Sequence, residues 1–170
     1  MVLDELAARA GVRLSPGKGA RSRAVSGEGR LAGRRVVLAR PLTYMNESGG
    51  PVKSLMTFYR VRNDHLVVVH DELDLPFGGI RVKLGGGDNG HNGLRSIRAA
   101  IGTGDYNRVR VGIGRPMDRV STTDHVLGQF SPGERSSVSL LAAHSADAVA
   151  SLLSSGLEAT QQSFNNARST

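Results

Sequence analysis

Hydrophobic and polar positions alternate along the chain between a helical period and a strand period. Apolar residues keep helical spacing in residues 3–10, 52–59, 94–101 and 138–153. Apolar runs or strict alternation, typical of strands, occupy residues 34–39, 65–70, 80–84 and 109–113. Strands separated by helices predict the α/β class, a single-domain layer sandwich in which helices enclose a mixed, mostly parallel β-sheet.

The start of the last helix carries the clearest local signal. Ser131 suits the N-cap, Pro132 the first helical position, and Glu134 the partner of a capping box. A polar stretch follows from Gln161 to Thr170. The predicted domain therefore covers residues 1–160, and residues 161–170 form a polar, frayed C-terminal tail.

Composition narrows the function classes. The 170 residues include no cysteine, which excludes disulfides and thiolate nucleophiles and suits a reducing compartment. The sequence contains no apolar run long enough to span a membrane, and its start lacks the basic-then-apolar order of a signal peptide. We therefore expect a soluble intracellular protein. The net charge is +7, and residues 11–40 carry eight basic residues against one acid. Such a segment suits a polyanion, although a solubilising surface hairpin has the same composition.

Polar residues that follow predicted strands are candidates for chemistry, because ligands collect at the carboxyl ends of strands. Asp71 could orient a histidine, or it could close an Asx turn. His91 could face a substrate or cap the following helix. Asn46 and Asn92 are neutral amides, suited to binding a peptide group or a water molecule. Neither a nucleophile elbow nor a P-loop motif occurs, and the histidine spacing does not favour a metal site.

Lys83 and Arg110 lie on the polar sides of two alternating strands. If these strands are neighbours, the two cations come close together, which is unfavourable unless an anion such as phosphate lies between them. Two separately solvated cations are the simpler alternative.

Four blocks of the sequence, in this order and spacing, resemble bacterial-type peptidyl-tRNA hydrolase. They are residues 41–49 (PLTYMNESG), 70–78 (HDELDLPFG), 83–94 (KLGGGDNGHNGL) and 108–114 (RVRVGIG). The resemblance implies a cytoplasmic enzyme that needs no metal or cofactor. It also implies cleavage of the ester between a peptide and the terminal ribose of tRNA, so that stalled peptidyl-tRNA is recycled.

The same resemblance implies roles for individual residues. Asp71 corresponds to the carboxylate that orients the catalytic histidine, and Asn46 and Asn92 to amides that hold the peptide and the attacking water. Tyr44 and Met45 correspond to an apolar wall beside these amides, and His91 corresponds to a residue at the rim of the crevice. Lys83 and Arg110 correspond to a clamp for the 5′-phosphate of tRNA. The expected partner is the acceptor stem and 3′ end of peptidyl-tRNA, bound by a monomer.

The beginning of the chain departs from the family pattern. Members of the family start with an apolar strand, a Gly-Asn-Pro-Gly turn and an Arg-His-Asn motif that carries the general base. This chain starts at Met1-Val2-Leu3-Asp4-Glu5, which resembles the helix after that histidine. None of the five histidines matches the base. We therefore expect an N-terminally incomplete hydrolase with impaired activity; the alternative is a non-catalytic homologue that binds tRNA acceptor stems or RNA.

Overall fold

Each amphipathic segment of the sequence forms a helix close to its predicted bounds. The protein is described by a computed structural model that covers residues 1–16, 23–116 and 120–166. Its helices are α1 (Val2–Ala10), α2 (Gly49–Tyr59), α3 (Asn92–Ile101), α4 (Thr122–Leu127) and α5 (Pro132–Phe164). Two 3₁₀ turns lie at Met45–Glu47 and Asn63–His65. The predicted capping box is confirmed, since Ser131 N–H donates to Glu134 Oε2 at 2.8 Å.

The strands differ more from their predicted positions than the helices do. They are β1 (Ser15–Pro16), β2 (Ala24–Leu31), β3 (Arg34–Pro41), β4 (Val67–Glu72), β5 (Ile80–Leu84) and β6 (Asn107–Gly112). The pattern of hydrophobic residues did not predict β2. The strand predicted at residues 65–70 begins two residues later and includes Glu72, while His65 belongs to the 3₁₀ turn.

The chain divides into two compact units, each assembled from separate stretches of sequence. One comprises residues 3–67 and 84–107, and the other residues 1–2, 68–83 and 108–170. The first contains an antiparallel sheet with strand order β1-β2-β3, in which Ala24 pairs with Pro41 and Leu31 with Arg34.

Two glycines in the middle of β2, Gly27 and Gly29, leave room for the Val12 side chain to pack on the strand. A Cβ on Gly27 would lie 2.3 Å from Val12 Cγ1, and one on Gly29 would lie 2.2 Å from Val12 Cγ2. Because neither glycine has a side chain, the Val12 side chain packs directly on the strand.

The second sheet has the strand order β4-β6-β5. Asn107 N–H donates to Leu66 O and Ile113 N–H to Glu72 O, a constant offset that makes β4 and β6 parallel. Gly85 N–H donates to Tyr106 O and Gly112 N–H to Gly79 O, so β5 runs antiparallel to β6. The α/β class and the mixed sheet are confirmed. The predominance of parallel strands is wrong for the described strands, because only the β4–β6 pair is parallel and the hairpin strands pair antiparallel.

The edge of β5 is covered by the end of α5. Asn165 accepts the Val82 N–H at 2.7 Å and donates Nδ2–H to Val82 O at 2.9 Å, while Gln161 Nε2 donates to the same carbonyl. Arg81 also donates to Phe164 O at 3.2 Å. The helix thus continues beyond residue 160, where the sequence predicted the tail to begin, because these side chains satisfy the outward backbone groups of the edge strand. Residues 167–170 lie outside the described part of the chain.

Helix α5 is long and apolar enough, by length and composition, to cross a membrane. Its turns are interrupted at Gly156, which has φ 82°. The helix buries a row of small and branched residues: Leu141, Ala142, Ser145, Ala146, Ala148, Val149 and Leu152. Burial of this face within the protein accounts for the apolar composition.

Helices α2 and α3 approach closely at Gly49. Its N–H donates to Ser96 Oγ at 2.9 Å, and a Cβ at this position would lie 2.1 Å from Ser96 O. At Gly50, the next residue, a Cβ would meet nothing within 4 Å apart from its own chain neighbours, one of which is Pro51. The two glycines therefore form a matched pair in one helix.

We expect Gly49→Ala to lower the free energy of unfolding by about 1–3 kcal/mol, because the added methyl group must push two backbones apart. Gly50→Ala should lower it less, because no other segment lies within 4 Å of the added methyl group and the cost is limited to the restriction that Pro51 places on a preceding residue with a side chain. Urea unfolding of both variants measures the difference. Equal midpoints for the two variants would contradict the proposed close packing of α2 on α3.

Candidate functional site

An exposed apolar turn follows β3 in the first unit. Tyr44 and Met45 are 82% and 56% exposed. Ser48, a buried residue, anchors the turn because its Oγ–H donates to Met45 O at 2.8 Å. Asn46 is also exposed on this turn. Exposed apolar side chains on an anchored turn are typical of a binding surface.

The beginning of α3 is organised by His91. The Nδ1 atom of His91 accepts the backbone N–H groups of Gly93 at 3.1 Å and Leu94 at 3.2 Å. The helix-cap interpretation of His91 is therefore confirmed. Because Nδ1 acts as an acceptor, the proton of the neutral ring lies on Nε2. Asn92, the first residue of α3, is exposed beside this cap.

The apolar turn and the beginning of α3 are in direct contact. A Cβ on Gly93 would lie 2.6 Å from Met45 Sδ and 2.9 Å from His91 Cε1. Glycine at this position therefore allows Met45 to approach the helix terminus. The structure brings together five of the residues that the sequence predicted as site residues: Tyr44, Met45, Asn46, His91 and Asn92. The 3₁₀ turn that contains Met45 and Asn46 thus contacts the helix that begins at Asn92.

Asp71 lies in the second unit, within β4 and half-buried. The turn after this strand is closed by Glu72, whose Oε1 accepts the Asp74 N–H at 3.2 Å. The adjacent His70 donates Nδ1–H to Asp71 O at 2.7 Å, and its Nε2 is buried.

Lys83 and Arg110 lie on neighbouring strands, β5 and β6, which is the arrangement in which the sequence expects the two cations to come close together. The antiparallel register of β5 and β6 sets Lys83 opposite Arg108 and Arg81 opposite Arg110, so four basic side chains share one face of the sheet. Arg108 is 1% exposed. Arg110 donates Nε–H to Glu72 Oε2 at 2.9 Å, with the two side chains 19% and 8% exposed. Of the pair Lys83 and Arg110, Arg110 is therefore ion-paired and largely buried and is not a separately solvated cation.

The electrostatics of this basic face favour an anion. Burial is the main cause that lowers the pKa of Lys83, followed by Arg110 and Arg108, while Glu72 opposes the shift. An anion placed between the cations would offset both the burial and the mutual repulsion of these charges. The face that carries Lys83, Arg108 and Arg110 is therefore suited to hold a phosphate.

The sequence alone did not identify three residues at the basic face as functional candidates: the arginines Arg81 and Arg108, and Glu72, which pairs with Arg110. The two arginines could have been found from the sequence, because they occupy the same polar phase of their strands as Lys83 and Arg110. Glu72 gave no such signal, since its pairing with Arg110 depends on β4 lying beside β6.

Comparison with known proteins identifies the family. The family model described as peptidyl-tRNA hydrolase matches residues 1–170. The chain belongs to the peptidyl-tRNA hydrolase family. It is 58% identical to the peptidyl-tRNA hydrolase of Frankia alni over 165 residues, which are 97% of this chain and 82% of that protein. The protein of Pseudarthrobacter chlorophenolicus is 52% identical over 168 residues, 99% of this chain and 85% of its own length.

A solved structure agrees with this assignment. Peptidyl-tRNA hydrolase from Acinetobacter baumannii superposes with a TM-score of 0.84 at 34% identity, over 98% of this chain and 84% of that one. The predicted family, its α/β fold and its hydrolase activity are thus confirmed. The reaction of this peptidyl-tRNA hydrolase is hydrolysis of the ester bond that joins a peptide to tRNA.

Proposed function

We propose that this hydrolase binds the acceptor end of peptidyl-tRNA as a monomer in the cytoplasm, with Lys83 and Arg110 holding the 5′-phosphate. In this proposal Asn46 and Asn92 engage the peptide and the attacking water, and His91 lies at the rim. Tyr44 and Met45 form the apolar wall, and Asp71 orients the base, the histidine of the family's Arg-His-Asn motif. No metal or cofactor takes part.

The basic face supports the phosphate assignment most strongly. Four cations share one face of the sheet, where the Glu72 carboxylate contacts one of them, Arg110. Arginine recognises phosphate through a planar fork of donors, and lysine adds a point charge. A 5′-terminal phosphate is the feature of an acceptor stem that such a pair recognises.

The amides and the apolar turn support the peptide assignment. Hydrolysis requires a water molecule to attack the ester carbonyl while a base removes one of its protons. Neutral amides such as Asn46 and Asn92 can accept from that water and donate to the developing oxyanion without adding charge. The bond to the ribose oxygen then breaks, which releases a peptide carboxylate and the tRNA 3′ end. The exposed Tyr44 and Met45 supply apolar contact for the peptide.

We expect Lys83→Gln combined with Arg110→Gln to weaken binding of a 5′-phosphorylated acceptor stem by about 10- to 100-fold. The reason is that charge-assisted hydrogen bonds of roughly 1.5–3 kcal/mol are lost. Binding of the same stem with a 5′-hydroxyl should weaken much less. Fluorescence anisotropy at fixed salt measures both affinities.

Arg34→Gln combined with Arg35→Gln is the matched control for this clamp variant. It removes the same two charges from the exposed β2–β3 hairpin, so it should weaken both stems to a similar, small degree. Equal losses on the two stems with the Lys83/Arg110 variant would remove the clamp assignment and leave only general attraction between a basic surface and RNA.

A further inference from the structure

Glu72 is a buried carboxylate among cations, and neither the catalytic roles nor the RNA-binding roles proposed above account for it. We propose that Glu72 is a positioning residue that sets the orientation of the Arg110 guanidinium for binding of the terminal phosphate. This inference rests on the proposed phosphate clamp. It adds a residue that acts through Arg110 and does not itself touch the substrate.

The contacts of Glu72 hold its carboxylate in one place. Oε1 accepts the Asp74 N–H at 3.2 Å, and Oε2 accepts Arg110 Nε–H at 2.9 Å. The backbone of Glu72 is tied to the neighbouring strand, since Ile113 N–H donates to Glu72 O at 3.1 Å. A carboxylate that accepts a backbone N–H, on a residue whose own backbone is tied to the neighbouring strand, can define the direction in which the arginine extends.

Glu72 engages the inner nitrogen of Arg110, Nε, which lies next to the aliphatic stem. A guanidinium carries five N–H donors in one plane, so the four donors on its terminal nitrogens remain for other acceptors. Two parallel donors are what bidentate recognition of a phosphate requires. Fixing Nε therefore fixes the plane of the fork that would meet the phosphate.

Simple charge counting predicts the opposite effect of Glu72. The face carries Arg81, Lys83, Arg108 and Arg110, and a carboxylate repels phosphate. Removing Glu72 would then strengthen binding of every RNA, with the largest gain for a 5′-phosphorylated one. A positioning role predicts instead that the preference for the 5′-phosphate falls. The two explanations differ in sign, which makes them separable.

The experiment measures the affinity of the full chain for acceptor stems with a 5′-phosphate and with a 5′-hydroxyl. The central variant is Glu72→Gln, which keeps the shape but removes the charge. We expect the ratio of the two affinities to fall about tenfold or more, while affinity for the hydroxyl stem stays the same or rises. Glu72→Asp keeps the charge and should therefore show an affinity ratio between those of Glu72→Gln and the unaltered protein. If circular dichroism shows that Glu72→Gln does not fold, the affinity ratio of Glu72→Asp is measured instead, and a ratio equal to that of the unaltered protein contradicts the positioning role.

Two further variants complete the design. Asp74→Asn removes a neighbouring exposed carboxylate, which pairs with Arg115, and should leave the ratio unchanged. In an Arg110→Ala background, Glu72→Gln should cause no further loss of preference, because the positioned group is gone.

The outcomes separate this inference from the clamp on which it rests. If the unaltered protein binds both stems equally, the phosphate clamp itself fails. If the protein prefers the 5′-phosphate and Arg110→Ala removes that preference, the clamp stands. A preference that Glu72→Gln then leaves intact or increases would overturn the positioning role alone.

Discussion

Placing a segment that supplies a histidine base, with the Gly-Asn-Pro-Gly and Arg-His-Asn motifs, before Met1 is expected to raise the rate of peptidyl-tRNA hydrolysis by about 10²- to 10⁴-fold. That range is the contribution of a general base to proton transfer. The expectation rests on the resemblance, which places the base in the Arg-His-Asn motif, and on what the ring nitrogens of His70, His91 and His125 do.

Three of the five histidines are committed elsewhere. His91 uses Nδ1 to accept two backbone N–H groups, so it cannot take a proton there without breaking the cap of α3. His70 donates Nδ1–H to Asp71 O and buries Nε2. His125 donates Nε2–H to the carbonyls of two residues that follow β6, 113 and 114. Each ring serves local structure, and none presents an accessible basic nitrogen through these atoms.

The measurement compares the 170-residue chain, its His91→Ala variant and the extended chain on one N-blocked aminoacyl-tRNA. Near-full activity of the unextended chain would contradict the expectation, and its loss in His91→Ala would then assign the base to His91. If the extended chain binds acceptor stems but does not hydrolyse the aminoacyl-tRNA, the result supports the alternative of a non-catalytic homologue that binds tRNA.

Asp71→Asn is expected to lower kcat by about 10²- to 10⁴-fold with little change in KM, in whichever of the two chains is active. A carboxylate that holds a histidine in its productive tautomer and stabilises the charged ring acts in the chemical step. Because tRNA contacts are unchanged, the affinity for a non-hydrolysable acceptor stem should also be unchanged.

Asp74→Asn is the matched control for Asp71→Asn, since it removes the same charge three residues away on the turn after β4. It should leave kcat within a few-fold of the unaltered protein. A variant Asp71→Asn that keeps its kcat and loses only affinity would show that Asp71 contributes to binding or to local structure and not to the chemistry.

Local sequence signals were sufficient for the helices and for part of the candidate site. The capping box at Ser131 and the spacing of apolar residues in α2 and α3 depend on neighbours within one or two turns, so a short stretch of sequence contains them. The alternation of charged and apolar residues in β5 and β6 likewise predicted that Lys83 and Arg110 lie on the polar sides of their strands.

Long-range contacts decided the rest. Strand β2 contains two glycines that weaken its pattern, and it is defined by its pairing with β1 and β3, with Val12 packed where the glycine side chains would be. The direction of β5 and the Glu72–Arg110 pair depend on the order β4-β6-β5. The role of His91 as a helix cap, which the sequence left open, was settled by the geometry of its ring. Hydrophobic period and capping are properties of nearby residues, whereas strand order and close backbone approach arise only when distant segments meet.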